Sequence, residues 1–293
     1  MRKYRRESDN VEDRRGHSSG GGNISMGTIM MLAPLIKRLL RSKFGLVILA
    51  VGILAYMNGY NPLALLGIGG ATYSKPIDQA RDDKEASFMK GVLADTEDVW
   101  RELLPKYGLR YSEPTMVLYR GQTSSGCGRA SSQMGPFYCP ADKKVYLDLG
   151  FFDELAKRHN SPGDFAQAYV LAHEIGHHIQ NLQGTLAQVQ KAKQSWGGSS
   201  SKANALQVKV ELQADCYAGA WAYHAHKQFD ILEPGDIEEA LRAASSIGDD
   251  TLQKQAGGAV CPDAFTHGSS KQRIEWFRRG VQTGDIRQCN TFE

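Results

Sequence analysis

Leu171-Ala172-His173-Glu174-Ile175-Gly176-His177-His178 decides how this chain folds, because it carries the pattern H-E-x-x-H inside a segment with helical periodicity. Residues four apart on an α-helix lie one above the other on the same face, so His173 and His177 can aim imidazole nitrogens at one Zn²⁺. Glu174, one position round, can reach a water held by that ion and act on its proton as general base and then acid. That is the arrangement of a zinc peptidase. The competing reading is a helix with exposed histidines and no metal, so the rest of the chain has to supply what is missing.

Working backward, Ser161-Pro162-Gly163-Asp164 reads as a helix start with Ser161 as N-cap, Pro162 at the first helical position and Asp164 as a short capping-box partner. Phe165, Tyr169, Ala172, Gly176 and Ile179 recur at spacings of three and four and form the buried side. Gly176 in a helix interior costs about 1 kcal/mol against Ala, so it is expected where another element approaches closely. His178 lies about 100° round from His177 and is not expected to bind the metal.

A catalytic zinc site takes three protein ligands and leaves the fourth position to water. Working forward, Ser199-Ser200-Ser201 can cap a second helix over 202–229, with Leu206, Val210, Ala214, Tyr217, Trp221 and Ala225 on its apolar side. In it, Glu211 and Asp215 stand one turn apart. Glu211 is the candidate third ligand, and Asp215 can accept a hydrogen bond from the far nitrogen of a ligand histidine. A solvated carboxylate pair is the alternative. Near the C-terminus, Thr266-His267-Gly268-Ser269-Ser270-Lys271-Gln272-Arg273 places a histidine at the start of a capped helix and an arginine beyond it. His267 is a candidate for stabilising the oxyanion of a tetrahedral intermediate, and Arg273 a second one; the alternatives are a surface His267 and an Arg273 that serves as a structural ion-pair partner.

Between the tail and these helices, 83–107 shows helical spacing, Thr115–Tyr119 reads as a strand, and Gly121–Ser132 as a Gly/Ser loop. Phe137–Cys139 and Lys144–Leu149 form a hairpin, the second strand being the candidate edge for an extended substrate. The fold class expected is α+β, a mainly helical domain over 83–293 with a small β-sheet.

Residues 1–26 are charged and then Gly/Ser-rich, and are expected to be disordered, within a basic cytoplasmic segment 1–43. Phe44 to Leu66 is uncharged and reads as one transmembrane helix, followed by a linker 67–82. Lys37, Arg38, Arg41 and Lys43 precede it, so the positive-inside rule keeps the tail in the cytoplasm and exports the domain. With a net charge of only +3 and the basic residues gathered there, a nucleic-acid partner is not expected. Of five cysteines none forms a C-x-x-C pair; export would favour Cys127 with Cys139 and Cys261 with Cys289, leaving Cys216 as a buried thiol, although four cysteines allow three connectivities.

His173-Glu174-Ile175-Gly176-His177-His178, Glu211 to Gly219, the Thr266 to Arg273 segment and the opening Arg5-Arg6-Glu7-Ser8-Asp9-Asn10-Val11-Glu12-Asp13-Arg14-Arg15-Gly16 together resemble the YpfJ-type bacterial neutral zinc metallopeptidases. The resemblance runs from end to end. It implies a zincin-type fold, a single-pass anchor in the bacterial inner membrane with an extracytoplasmic catalytic domain, one zinc ion, and a peptide or protein substrate. Glu211 and Asp215 are similar to the glutamate ligand and supporting aspartate of the gluzincin group. Two other readings keep the same residues: an envelope scaffolding protein with a structural zinc site, and a zinc amidase acting on cell-wall peptides.

Overall fold

The computed structural model describes residues 1, 6–16, 78–131, 134–158, 163–198, 200–255, 257 and 259–293. The expected span Phe44 to Leu66 and most of the linker lie outside these. Among the described residues no helix is long and apolar enough to cross a membrane.

The architecture is α+β, mainly helical with a small sheet, as the sequence predicts. In chain order the elements are β1 (Val11–Asp13), α1 (Gln79–Leu103), β2 (Thr115–Tyr119), β3 (Gln122–Ser125), β4 (Gly128–Ser131), β5 (Phe137–Cys139), β6 (Lys144–Asp148), α2 (Leu149–Arg158), α3 (Asp164–Leu182), α4 (Thr185–Ser195), α5 (Ser201–Phe229), α6 (Asp236–Ser246), α7 (Asp249–Gln255) and α8 (Ser270–Thr283). The main sheet has the order β1-β2-β6-β5, with β5 antiparallel to β6 and the other pairings parallel. Period-2 alternation explains its two faces. Met116, Leu118, Val145 and Leu147 enter the main core with the helices, whereas Val117, Tyr119 and Tyr146 enter a smaller core with Ala130 and Cys139.

Several expectations are corrected here. The Gly/Ser stretch after Gly121 is a second, two-stranded sheet in which β3 and β4 pair antiparallel; its small polar residues left no apolar alternation to read. The hairpin β5-β6 forms as expected, but β6 is interior and β5 is the edge. The first long helix starts at Gln79, inside the expected linker, because the Asp78 side chain accepts the Arg81 amide and caps it.

The expectation of a disordered tail is corrected for residues 6–16, while 17–26 lie outside the described residues. Residues 6–16 belong to the same compact unit as 78–293. β1 runs parallel to β2, Val11 opposite Met116 and Asp13 opposite Leu118. Glu97 of α1, 1% exposed, receives Ser8 Oγ at 2.5 Å, Asn10 Nδ2 at 2.8 Å and Arg6 Nη2 at 2.9 Å. Backbone pairing and a buried carboxylate thus replace the apolar burial that the tail lacks.

Cys127 pairs with Cys139 as expected, but Cys289 pairs with Cys216, and Cys261 is free and exposed. Cys216 and Cys289 are both fully buried where the C-terminal segment returns across α5, a proximity invisible in linear spacing. The packing of α5 on α8 is close enough that a Cβ on Gly219 would lie 2.1 Å from the Phe277 carbonyl oxygen.

Candidate metal centre

Helix α3 begins at Asp164 with Gly163 at its N-cap; the expected cap and first-turn residues Ser161 and Pro162 lie outside the described residues. Its His pair faces α5, and the two helices approach where Gly176 meets Ala214: an added Cβ would sit 2.9 Å from the Ala214 carbonyl oxygen and 3.0 Å from its Cα. The small residue predicted at position 176 is therefore what lets Glu211 reach the histidines. Ser200 caps α5 by accepting the Ala203 amide, within the expected serine run.

His173, His177 and Glu211 form a group whose ligand atoms all lie within 4.8 Å of one another. Glu211 Oε2 is 3.2 Å from His173 Nε2 and 3.5 Å from His177 Nε2. Ligands about 2.1 Å from one ion at tetrahedral angles stand about 3.4 Å apart, so these separations fit a shared zinc.

The hydrogen bonds behind the triad support that fit independently. His173 Nδ1 donates to Asp215 Oδ1 at 2.8 Å, and His177 Nδ1 donates to Gln180 Oε1 at 2.9 Å. Both imidazoles thereby turn an Nε2 lone pair toward Glu211, whose other oxygen accepts from Gln207 Nε2 at 2.8 Å. Three acceptor lone pairs converging in a buried site need a cation or protons between them. Burial works against a charged His173, yet Asp215 and Glu211 outweigh it and raise its pKa to about 9. A metal ion would compete for the same lone pairs.

Asp215 is fully buried and accepts four bonds: His173 Nδ1, Tyr169 OH at 2.5 Å, Arg273 Nε at 2.8 Å and Arg273 Nη2 at 2.9 Å. Burial pushes its pKa up, but Arg273 and His173 prevail and hold it at about 2. Arg273 enters from the first turn of α8, a helix expected to be capped, whose cap is a capping box between Ser269 and Gln272. It is 2% exposed and also donates to Tyr169 OH at 3.2 Å. Of the two readings of Arg273, the structural ion-pair partner is the one the geometry matches.

Glu174, 7% exposed, lines a cavity of about 1030 Å³ together with His173, His177 and Glu211. His267 lines the same cavity, half-exposed, with Nδ1 donating to Asp249 Oδ1 at 3.1 Å. That bond holds its pKa above the ordinary range despite desolvation. Asp249 also accepts the amides of Thr266, His267 and Gly268, which fixes the loop carrying the histidine. His178 is fully buried elsewhere: Nε2 donates to the Ser112 carbonyl at 2.6 Å and Nδ1 accepts from Tyr138 OH at 3.0 Å.

Sequence reasoning missed Tyr169, Gln180, Gln207 and Asp249. Helical spacing could have found three of them: Tyr169 lies one turn before His173, Gln180 one turn after His177 and Gln207 one turn before Glu211. Asp249 has no local relation to His267.

Comparison with known proteins agrees with the geometry. The chain is 48% identical over 296 residues to the uncharacterized protein YpfJ of Escherichia coli (strain K12), covering 98% of this chain and 97% of that protein. It is 43% identical over 257 residues to the uncharacterized proteins Mb2605 of Mycobacterium bovis and Rv2575 of Mycobacterium tuberculosis, covering 78% of this chain and 84% of each. No solved structure matches it. The profile of the family described as "Putative neutral zinc metallopeptidase" matches residues 1–292, and the chain belongs to that family.

Proposed function

We propose that this protein is a zinc-dependent endopeptidase with a zincin-like catalytic domain, one zinc ion held by His173, His177 and Glu211, and Glu174 as the proton carrier. The observation that carries the reading is the convergence of three lone pairs at the wall of an open cavity that Glu174 also lines. A purely structural zinc site closes its fourth position with protein, whereas three ligands beside a cavity leave it to water or substrate.

When bound, zinc supplies a Lewis acid and lowers the pKa of a coordinated water. The chain's residues do the rest. Glu174 takes a proton from the attacking water and delivers it to the departing amine. Asp215, clamped by Arg273 and Tyr169, keeps the proton of His173 on Nδ1, so that Nε2 stays available; Gln180 does the same for His177. His267, oriented by Asp249, donates toward the oxygen on which negative charge develops. β5, the sheet edge and part of the cavity wall, offers its free side to an extended peptide, the role first assigned to β6.

The metal assignment is tested by elemental analysis of purified chain. One zinc per chain is expected for the wild type and a large loss for His173→Ala and Glu211→Ala. Undiminished zinc in both variants would sink it.

We also propose an exported, membrane-anchored protein. The two disulfides support an oxidising compartment. Because β1 shares a sheet with β2, this proposal places residues 6–16 on the same side of the membrane as the catalytic domain, in place of the opposite sides expected of a single pass. Thiol labelling of intact cells tests it, with Glu7→Cys and Lys254→Cys introduced singly into a Cys261→Ser background. Both are expected to react with an impermeant reagent; labelling of only one would overturn the arrangement.

A further inference from the structure

The cavity beside the triad has almost no charge to offer a substrate. Among the described residues its lining includes no lysine and no aspartate, its only glutamates are Glu174 and Glu211, and His267 is already bonded to Asp249. Its one arginine, Arg273, is already committed to Asp215 and Tyr169. The remainder is largely apolar. Phe137 of β5 and Phe151 of α2 line it together with Leu186 and Val189 of α4. At the rim, Met134 is 58% exposed and Leu252 of α7 is 38% exposed, two of the four large apolar side chains left most open to water among the described residues. A charged substrate side chain placed against this apolar wall would lose hydration and find no partner on it. A bulky apolar one would be removed from water against matching walls.

We propose that this wall selects a bulky apolar side chain next to the bond presented to Glu174, so that the substrates are extended apolar segments of unfolded polypeptide. Folded proteins bury such segments, and one lying along β5 must have its own backbone free to pair. The inference rests on the endopeptidase reading for its chemistry but not for its binding preference.

The test uses the zinc-loaded full chain and two peptides of equal length and neutral flanks, one with Leu-Phe at its centre and one with Glu-Lys. kcat/KM is expected to favour the apolar peptide by about 100-fold, the discrimination a hydrophobic pocket supplies. Leu252→Lys, at a partly exposed position away from the triad, is expected to reduce that ratio by about 10-fold. Binding of both peptides to zinc-loaded Glu174→Gln is measured in parallel. Preference in binding without any hydrolysis by the wild type would remove the endopeptidase reading and leave the selectivity standing. Equal binding of the two peptides, or hydrolysis with a ratio below threefold, would overturn the selectivity whatever the chemistry.

Discussion

Gly176→Ala separates the geometry of the metal centre from the stability of the helix that carries it. An Ala Cβ at 176 would lie 2.9 Å from the Ala214 carbonyl oxygen, 3.0 Å from its Cα and 3.2 Å from its Cβ. Carbon atoms in contact settle near 3.5 Å, so α3 and α5 must part locally by about 0.5 Å. Both neighbours at closest approach are backbone, and no side-chain rotation relieves them. Ala is the better helix former by about 1 kcal/mol, whereas overpacking costs about 1–3 kcal/mol, so net stability of the metal-free chain should fall by no more than about 2 kcal/mol. The metal site is less forgiving, since ligand distances hold to within about 0.2 Å. Glu211 sits one turn before Ala214 on the helix that moves, while both histidines stay with α3. Zinc affinity should therefore drop about 10- to 100-fold, the range produced by displaced ligand support. Competition against a chromophoric chelator measures it, with urea denaturation of chelated protein as control. Affinity within twofold of wild type would refute the argument that this contact sets the ligand spacing.

Three further outcomes are expected. Asp215→Asn leaves Arg273 charged, 2% exposed and without its carboxylate, which should cost about 3–5 kcal/mol in urea denaturation; Asp215→Leu with Arg273→Met should recover most of that stability but not the zinc affinity. Burial lowers the His178 pKa to about 4, so unfolded chains bind a proton below about pH 6.5 that the folded chain refuses. The folded state should accordingly lose up to about 3 kcal/mol between pH 6.5 and pH 4 relative to His178→Gln, and parallel stability curves for the two proteins would contradict this. The Cys216–Cys289 bridge closes a loop with a sequence separation of 73, so Cys216→Ala with Cys289→Ala should cost about 4 kcal/mol in the loop-entropy estimate, while native wild type should show one reactive thiol, Cys261.

What the sequence made legible is what depends on spacing along one element. His173 with His177 and Glu211 with Asp215 are each one helical turn apart, and the need for a third ligand joins the pairs. Gly176 was legible for the same reason, because a costly residue in a helix implies a neighbour. What stayed hidden depends on contacts distant in the chain. β1 reads as a polar tail because much of its support comes from a backbone ladder to β2 and from polar side chains beside it that meet Glu97, not from an apolar pattern. The edge position of β5 rather than β6 follows from β2 pairing on the far side of β6. The partner of Cys289 depends on how the C-terminal segment folds back on α5, and Asp249 meets His267 only when the α7 start packs under its loop.

The measurement that bears most directly on the proposed chemistry is the rate of peptide hydrolysis by Glu174→Gln with its zinc content determined on the same sample. Glutamine keeps the shape of the side chain and cannot accept the proton, so one zinc per chain with hydrolysis reduced at least about 100-fold, as for loss of a general base, is the predicted result. Zinc-loaded Glu174→Gln that cleaves peptides at the wild-type rate would contradict it.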